Sequence, residues 1–493
     1  MVWANFLHIF QPAHQLPDIL ERIVNESYRP LMKGFLARPK AKLILNINAG
    51  LAELLIAQGY GDIIEAVTTL AERGQLEFLE SAAYHAFLPM LPEAEIRQQI
   101  ALNKKINTGI FGKVYQPTGF FAPEMAYSEK VGKIADELGY RYYLLDEIAF
   151  NGRVEQADLA KIFTLQGTSL KILFRNRRIS NLIMGAVVRN GETFIEALGE
   201  AGKEDFKGYI LTAMDGETFG HHRPGLDKLL FEIYESKKIQ PVLSQDLLNM
   251  YPAGGEIAPI ASTWACSADD IARGAQFNLW NDPENEIHRL QWELADLALE
   301  AGSFLTGELK RKHQELIQDK LDRALDSGQF WWASANPWWS LEEIERGAWN
   351  LLEVVEEVDR LGGRQMEKVT RARQVYQKII SMAFDYQRTG RMRKIIAAQK
   401  SFLKIPVKER DPAEYKAAVE ILRREEKNAV QRGEYEQAIK WRDAAYKLEN
   451  GLDIYDTVSI IDQLRAQNRH QDFEQILEKY REEFRNLQSG QPE

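Results

Sequence analysis

The chain is poor in cysteine and lacks long apolar runs. Cys266 is the only cysteine among 493 residues, so no disulfide can form within the chain. Structural disulfides belong to oxidising compartments, and their absence favours a cytoplasmic location. A transmembrane helix needs roughly 18 or more consecutive apolar residues, and the sequence has no such run. The N-terminal stretch MVWANFLHIFQPAHQ also lacks the basic and apolar regions of a signal peptide. We therefore expect a cytoplasmic protein with no membrane partner.

The sequence also has no excess of positive charge and no low-complexity tract. Its 62 Lys and Arg are outnumbered by 72 Asp and Glu, which gives a net charge of −10. This balance favours solubility and argues against nucleic acid as a partner. Hydrophobic residues make up 45% and charged residues 27%, as in ordinary globular proteins. The length allows two or three domains.

The first half of the chain alternates short β-branched or aromatic runs with amphipathic stretches. The runs predict seven strands, at residues 3–10, 41–49, 75–82, 118–124, 140–147, 170–175 and 208–217. Alternation of strand and helix is typical of a parallel α/β sheet, and seven repeats predict a (β/α)7 barrel, an incomplete TIM-like barrel. Two further strands are predicted at 240–245 and 258–263.

The strand pattern ends near residue 270 and helical periodicity follows. Helices are predicted at 284–302, 308–327, 341–361, 364–388 and 411–449. We therefore expect a barrel domain over 1–270, a helical domain over 271–400 that completes the cleft, and a helical segment over 401–493. The proline-containing stretch 402–412 is interpreted as a linker.

Polar side chains recur where the predicted strands end. They are His8, Asn48, Glu80, Glu124, Asp146, Glu147, Arg175 and Asp215. In a β/α barrel the active site forms at the carboxyl ends of the strands. The sequence therefore predicts a polar pocket at that face.

Two acidic motifs stand out among these strand ends. Glu124 lies in FAPEMAYS, and Asp215 and Glu217 lie in TAMDGETFGHHRPG. Paired carboxylates suit glycoside hydrolysis, in which one attacks or stabilises the anomeric carbon and the other donates a proton to the departing oxygen. A partly apolar site and a negative neighbour would keep the donor protonated. Alternatively, these acids are helix caps or rim salt bridges, and 215–218 is merely a turn.

Four stretches together resemble glycoside hydrolase family 57. They are LHIFQP (7–12), GQLEFLESAAYHAFLPML (74–91), GFFAPEMAYS (119–128) and MDGETFGHH (214–222). The family comprises (β/α)7-barrel retaining enzymes acting on α-glucans, such as amylases, glucanotransferases and branching enzymes. The resemblance implies an α-glucan substrate, no cofactor, Glu124 as the nucleophile and Asp215 as the acid/base.

The first of these stretches departs from the family pattern. The family usually reads His-x-His-Gln-Pro there, and Phe10 stands in place of the second histidine. The departure leaves open a non-catalytic, glucan-sensing or scaffold protein built on the same fold. The family's fifth region has no evident copy, so no subfamily is assigned.

The remaining candidate residues are assigned to substrate binding. They are His8, Gln11, Glu80, His85, Glu217, His221, Trp264, Trp331 and Trp338. The polar ones would hydrogen-bond sugar hydroxyls, and the tryptophans would stack on pyranose rings. The alternatives are that the histidines satisfy loop backbones, and that the tryptophans of SGQFWWASANPWWS pack where the helices meet the barrel.

A zinc site is the competing chemical interpretation. Zinc needs three protein ligands and an open position, and His8, Asp215 and His221 are the available set. Such a site would indicate a deacetylase or mannosidase. The sequence has no spaced H-x3-H pair, and we expect a metal-independent protein.

Residues 423–451, RREEKNAVQRGEYEQAIKWRDAAYKLENG, resemble the UVR helical hairpin. The resemblance implies a protein partner for this segment. The alternative is a plain amphipathic αα-hairpin packed within the helical region.

Overall fold

The fold was analysed in a computed structural model. The structure describes residues 1–188, 190–198, 206–303, 307–335, 339–363, 365–392, 407–450, 460–461, 464 and 470–489. The chain divides into two compact units, one formed by Met1–Ser180 with Lys207–Arg393 and the other by Asn181–Phe206 with Lys394–Glu493. The domain limits at 270 and 400 remain predictions.

The described residues contain ten strands, and seven of them follow one another in a single parallel order. The strands are β1 (Val2–Ile9), β2 (Leu43–Ile47), β3 (Leu76–Glu80), β4 (Gly119–Phe120), β5 (Tyr142–Asp146), β6 (Ile162–Leu165), β7 (Lys171–Arg175), β8 (Tyr209–Asp215), β9 (Gln240–Val242) and β10 (Ala253–Ile257). The parallel order is β7-β5-β4-β3-β2-β1-β8. These are the seven strands predicted from the sequence, and the α/β class is confirmed.

The sheet curls but does not close through a ladder between its end strands. The two ends, β7 and β8, are both fully described, and the backbone N–H of Asn176 just after β7 donates to the carbonyl of Leu211 in β8 at 2.7 Å. Strand β9 pairs with the first residues of β1. The architecture is therefore the incomplete barrel that the sequence predicts.

One predicted strand differs from the structure, and one observed strand was not predicted. The predicted strand at 258–263 is wrong, because β10 lies at Ala253–Ile257 and pairs with β6. Pro259 lies within the predicted run and has no N–H for a ladder. Strand β6, which runs antiparallel to β7, was not predicted because its four residues are too few to show a clear alternation.

Helices surround the sheet and continue after it. They are α1 (Pro17–Ile23), α2 (Arg29–Leu36), α3 (Ala49–Ala57), α4 (Gly61–Glu72), α5 (Glu93–Phe111), α6 (Glu129–Glu137), α7 (Arg177–Met184), α8 (Gly191–Ala197), α9 (Leu226–Glu235), α10 (Ser244–Met250), α11 (Ala268–Ala272), α12 (Glu286–Ser303), α13 (Gly307–Ala324), α14 (Gly328–Ala333), α15 (Leu341–Val358), α16 (Met366–Arg388), α17 (Val407–Arg410), α18 (Pro412–Gln431), α19 (Tyr435–Glu449) and α20 (His470–Ser489). None of the helices in the described ranges combines the length and the apolar character needed to cross a membrane.

Side-chain alternation along the strands decides what faces the barrel interior. Ala4 and Phe6 of β1 and Leu79 of β3 belong to the interior cluster. Because successive side chains of a strand point to opposite faces, Phe78 and Glu80 of β3 face the helices instead. Phe78 accordingly packs on Phe111 of α5, with ring centroids 5.2 Å apart.

The helical bundle α12–α16 shares one core with the outer side of the barrel. Its buried positions are mainly Ala, Leu and Val, and the same cluster includes barrel residues such as Phe87 and Phe120. Phe87 stacks on Trp280 with ring centroids 4.9 Å apart. This packing brings the segment between α13 and α14 to the mouth of the barrel, where Ala86 and Asp326 form a β-bridge.

The second unit contains a helical hairpin. The stretch 411–449, which is predicted to be helical, forms two helices, α18 and α19, separated by a short turn in which Gly433 has a φ of +75°. A positive φ suits glycine because it lacks a Cβ. Arg423 and Glu449 pair at 2.8 Å across the hairpin, as expected for antiparallel helices. A protein partner for this hairpin remains a prediction.

Candidate active site

Glu124 lies just past β4, in a backbone conformation that is rare for its residue type. Its φ is +63° and that of Met125 is +49°. Non-glycine residues avoid this left-handed region because the Cβ crowds the backbone. Such a conformation is retained at functional sites when the surroundings enforce it. Here the backbone N–H of Trp264 donates to the Glu124 carbonyl at 3.3 Å, and the Trp264 Nε1–H donates to Oε2 of its carboxylate at 3.0 Å.

Asp215 is the last residue of β8 and lies level with His8 of β1 in the sheet register. Burial raises the pKa of Asp215 to about 6, although the positive charge of Arg175 opposes this. Burial, and then the negative charge of Asp215, raise the pKa of Glu124 to about 8, against the effect of the Trp264 hydrogen bond. The two carboxyl groups therefore interact electrostatically, and near neutral pH the pair holds one proton.

Arg175 belongs to a buried ion cluster beside this pair. Its guanidinium contacts Asp146 at 2.7 Å and donates to the carbonyl of Ala213 at 2.9 Å. Arg177 contacts the other Asp146 oxygen at 2.8 Å and donates to the carbonyl of Thr263, next to Trp264. The cluster therefore ties together the ends of β5, β7 and β8 and the loop that carries Trp264.

His8 and His85 form a hydrogen-bonded pair whose tautomers can be deduced. The Asn46 amide nitrogen donates to the Leu79 carbonyl at 3.0 Å, so its oxygen accepts from His8 Nδ1 at 2.8 Å. His8 Nε2 must then accept the Nε2–H of His85 at 3.0 Å, and His85 Nδ1 accepts from the Ser327 hydroxyl at 2.8 Å. Burial lowers the pKa of His8 to about 4 and that of His85 well below its usual value, so both rings are neutral.

This arrangement changes the role expected for the two histidines. All four of their ring nitrogens are engaged within the protein. As placed, neither has a nitrogen for a sugar hydroxyl, and they connect the ends of β1 and β3 to Ser327. Phe10, which replaces the family's second histidine, stacks on His85 with ring centroids 3.9 Å apart and an interplanar angle of 14°.

Glu217 and Gln11 lie beside the pair and contact each other. Oε1 of Glu217 accepts from the backbone N–H of Phe10 and the Gln11 side chain, both at 3.2 Å, and from the Tyr28 hydroxyl. Burial and the charge of Asp215 raise the pKa of Glu217 to about 7. Glu217 therefore links the loop after β8 to the loop after β1.

Other predicted site residues lie away from the carboxyl pair. Glu80 faces the helix layer, where it accepts from Asn103 at 2.5 Å and Tyr115 at 2.9 Å. His221 contacts Glu26 at 2.6 Å near the surface. Trp331 is partly buried and packs against the core of the helical bundle, with its ring 4.9 Å from that of Trp332. Trp338 lies outside the described residues.

The three side chains considered as zinc ligands, His8, Asp215 and His221, do not form a metal site. His8 uses both ring nitrogens, and His221 is held by Glu26. In the part of the chain that the structure describes, no group of three or more His, Cys, Asp or Glu side chains is arranged to hold a metal ion.

Asp326 is the residue at this site that sequence reasoning missed. It precedes Ser327 in the segment between α13 and α14, and its Oδ1 accepts from the Gly328 backbone N–H at 2.6 Å. Burial raises the pKa of Asp326 to about 7, and its charge contributes to the raised pKa of Glu124. The only sequence signal was its position at the start of the tryptophan-rich stretch.

The chain is similar to known proteins over its first half. Residues 4–245 match the model of glycosyl hydrolase family 57. An α-amylase from Dictyoglomus thermophilum is 27% identical over 261 residues, which cover 51% of this chain and 37% of the relative. A 4-α-glucanotransferase from Thermococcus litoralis is 24% identical over 275 residues, covering 53% of this chain and 40% of the relative. The chain thus spans less than half the length of these curated relatives.

The fold extends the likeness beyond the matched segment. A solved structure of a family 57 branching enzyme from Thermococcus kodakaraensis superposes with a TM-score of 0.59 and 18% identity, over 78% of this chain and 96% of that chain. At this identity the likeness supports the fold alone. In sequence, the likeness to glycosyl hydrolase family 57 covers residues 4–245.

Proposed function

We propose that this protein is a retaining glycoside hydrolase or glucanotransferase acting on α-glucans. The observation that carries the proposal is the pair Glu124 and Asp215, two partly buried carboxyl groups at the carboxyl ends of β4 and β8. Both have raised pKa values, and the charge of Asp215 contributes to the raised pKa of Glu124. The named activities of the relatives, α-amylase and 4-α-glucanotransferase, supply the substrate class.

In the proposed reaction Glu124 attacks the anomeric carbon while Asp215 protonates the departing glycosidic oxygen. The bond from the anomeric carbon to that oxygen breaks as a glycosyl ester of Glu124 forms. Asp215, now ionised, then takes a proton from water or from a sugar hydroxyl, whose oxygen displaces Glu124. Water gives hydrolysis, and a sugar hydroxyl gives transfer.

This reaction requires the proton of the pair on Asp215. In the free site the higher pKa belongs to Glu124, so the proton rests there. The Nε1–H of Trp264 donates to Glu124 and favours the tautomer in which Glu124 is ionised. The active species is therefore one arrangement of a singly protonated pair, and Trp264 increases its population.

The test is to incubate the protein with maltoheptaose and amylose and to follow the products by chromatography. We expect shortened or redistributed chains from the native protein, none from Glu124→Gln or Asp215→Asn, and no effect of EDTA. Proton NMR of the first product should show the α-anomer. Inversion of the anomer would contradict the double displacement, and loss of activity in EDTA would point to metal chemistry.

A non-catalytic, glucan-binding role is the second candidate. Phe10 in place of the family's histidine is the observation that favours it. Binding of maltoheptaose by the native protein without any turnover would select this role over the enzymatic one.

A further inference from the structure

A cavity of about 180 Å³ lies beside the carboxyl pair, between the barrel loops and the helices. Its walls include Phe10 and Gln11 after β1, Asn48 after β2, Asp326 and, from α15, Asn350. At about 30 Å³ for each water molecule in the liquid, this volume equals about six waters and has room for one hexose unit. Asp326 connects the cavity to the carboxyl pair, because its charge acts on Glu124.

The Phe10 ring is fixed against one wall of this cavity. One of its faces stacks on His85 at a centroid distance of 3.9 Å. The hydrogen bonds from Asn46 through His8 and His85 to Ser327 hold that imidazole in one orientation and one tautomer. The backbone N–H of Phe10 is held by Glu217. The ring is therefore preorganised, and Phe10 lines the cavity.

Tyr84, another aromatic residue that lines the cavity, already has a cation and a carboxylate as partners. The Arg323 guanidinium lies 4.4 Å from the ring centroid of Tyr84. The Tyr84 hydroxyl donates to Glu53 at 3.0 Å. We therefore take the apolar ring of Phe10 as the contact for a ligand in the cavity.

The cavity also carries polar groups suited to hydroxyls. Asn48 is buried, with 1% of its surface exposed, and its Oδ1 caps α3 through the Leu51 N–H. Its Nδ2 is buried and has no hydrogen-bond partner among the described residues. Asp326 supplies an acceptor.

We propose that this cavity binds one hexopyranosyl unit of the substrate, with the sugar's apolar face on Phe10. The proposal rests on the proposed function for the identity of the substrate, an α-glucan. It adds the sugar subsite and its specificity-determining residue, Phe10. A histidine at this position would present ring nitrogens, whereas Phe10 presents only an apolar face. The substitution therefore alters how the sugar is recognised rather than removing the site.

The test is calorimetric binding of maltoheptaose, cellohexaose and chitohexaose, measured in the Asp215→Asn background so that nothing is turned over. We expect Phe10→Leu to weaken binding of maltoheptaose about tenfold, in line with the general strength of aromatic contacts. Phe10→Tyr, which keeps the ring, should stay within about threefold of the parent. Phe384→Leu, the same change at an exposed position of α16, should have no effect.

Asn350→Trp is a second variant that fills the cavity from α15 without changing Phe10, and it should weaken binding similarly. The same exchange at Asn249 of α10, a helix with no residue in the cavity, is its control. Circular dichroism melting curves establish that each variant is folded.

The outcomes separate the subsite from the proposed function. Maltoheptaose binding that both the ring-removing and the cavity-filling variants leave unchanged, together with turnover of maltoheptaose by the native protein, would overturn the subsite and leave the function standing. Binding of cellohexaose or chitohexaose alone, weakened by Phe10→Leu, would support the subsite and overturn the α-glucan assignment. Failure of the parent to bind any of the three glycans would overturn both.

Discussion

Trp264→Phe tests the central electrostatic feature of the site. The indole Nε1–H donates to Oε2 of Glu124 at 3.0 Å, and the ring packs near His8 and Phe121 at centroid distances of 6.2 and 5.9 Å. Phenylalanine keeps an aromatic ring in this place and removes only the donor. The backbone bond from residue 264 to the Glu124 carbonyl is unaffected by the change.

The size of the effect follows from the charge on the acceptor. A hydrogen bond to a charged group contributes about 1.5–3 kcal/mol, which corresponds to a rise of about 1 to 2 in the pKa of Glu124. The same free energy disfavours the singly protonated form in which Glu124 is ionised and Asp215 is protonated, so its population falls. We therefore expect kcat/KM for maltoheptaose to fall by about 10- to 150-fold.

The pH profile distinguishes this effect from general damage. The native profile should be a bell, because the pair is active only when it holds one proton. Activity should fall below about pH 6, where both carboxyls are protonated, and above about pH 8, where both are ionised. In Trp264→Phe the alkaline limb should move to higher pH, since Glu124 ionises less readily. The acid limb should stay, since it reports Asp215.

Trp349→Phe is the matched control, because Trp349 is 47% exposed on α15 and away from the carboxyl pair. Initial rates from pH 4 to 10 and a thermal melt of each variant complete the assay. A Trp264→Phe protein with native rates and an unmoved alkaline limb would refute the idea that this hydrogen bond favours ionised Glu124.

Two further predictions concern stability. The free energy of unfolding in urea should be about 1 kcal/mol higher for Glu124→Gly than for Glu124→Ala, because glycine tolerates the φ of +63°. At Glu65, inside α4, alanine should be the more stable of the two replacements. The same order at both positions would contradict the argument. Glu95→Gln should stabilise the protein increasingly as pH rises, because burial and the neighbouring Asp322 raise the pKa of Glu95 to about 8. A carboxyl whose pKa is raised on folding binds its proton more tightly in the native state. The free energy of unfolding of the native protein therefore falls between about pH 4.5 and 8. Glutamine has no such proton, so the variant lacks this fall in stability. Melting temperatures at pH 5 and pH 8 measure the difference, and an equal gain at both would show that proton binding is not the cause.

Much of the fold could be predicted from the sequence because it depends on local patterns. Each of the seven parallel strands is a short apolar run ending at a polar residue, and the parallel order brings the carboxyl ends to one face. The sequence by itself therefore determined the architecture and the presence of Glu124 and Asp215 at that face. Where the local signal was weak, the prediction failed: the four-residue β6 was missed, and the strand predicted over the proline-containing run 258–263 was wrong.

Only the tertiary structure decided what these strand-end residues contact. Glu80 is predicted at the site by its position, yet the alternation of β3 turns it toward α5. His8 and His85 were expected to bind sugar, but their nitrogens are used by each other, by Asn46 and by Ser327. Asp326 reaches the barrel mouth only because the helical bundle packs there. Such contacts join residues far apart in the chain, and no local periodicity encodes them.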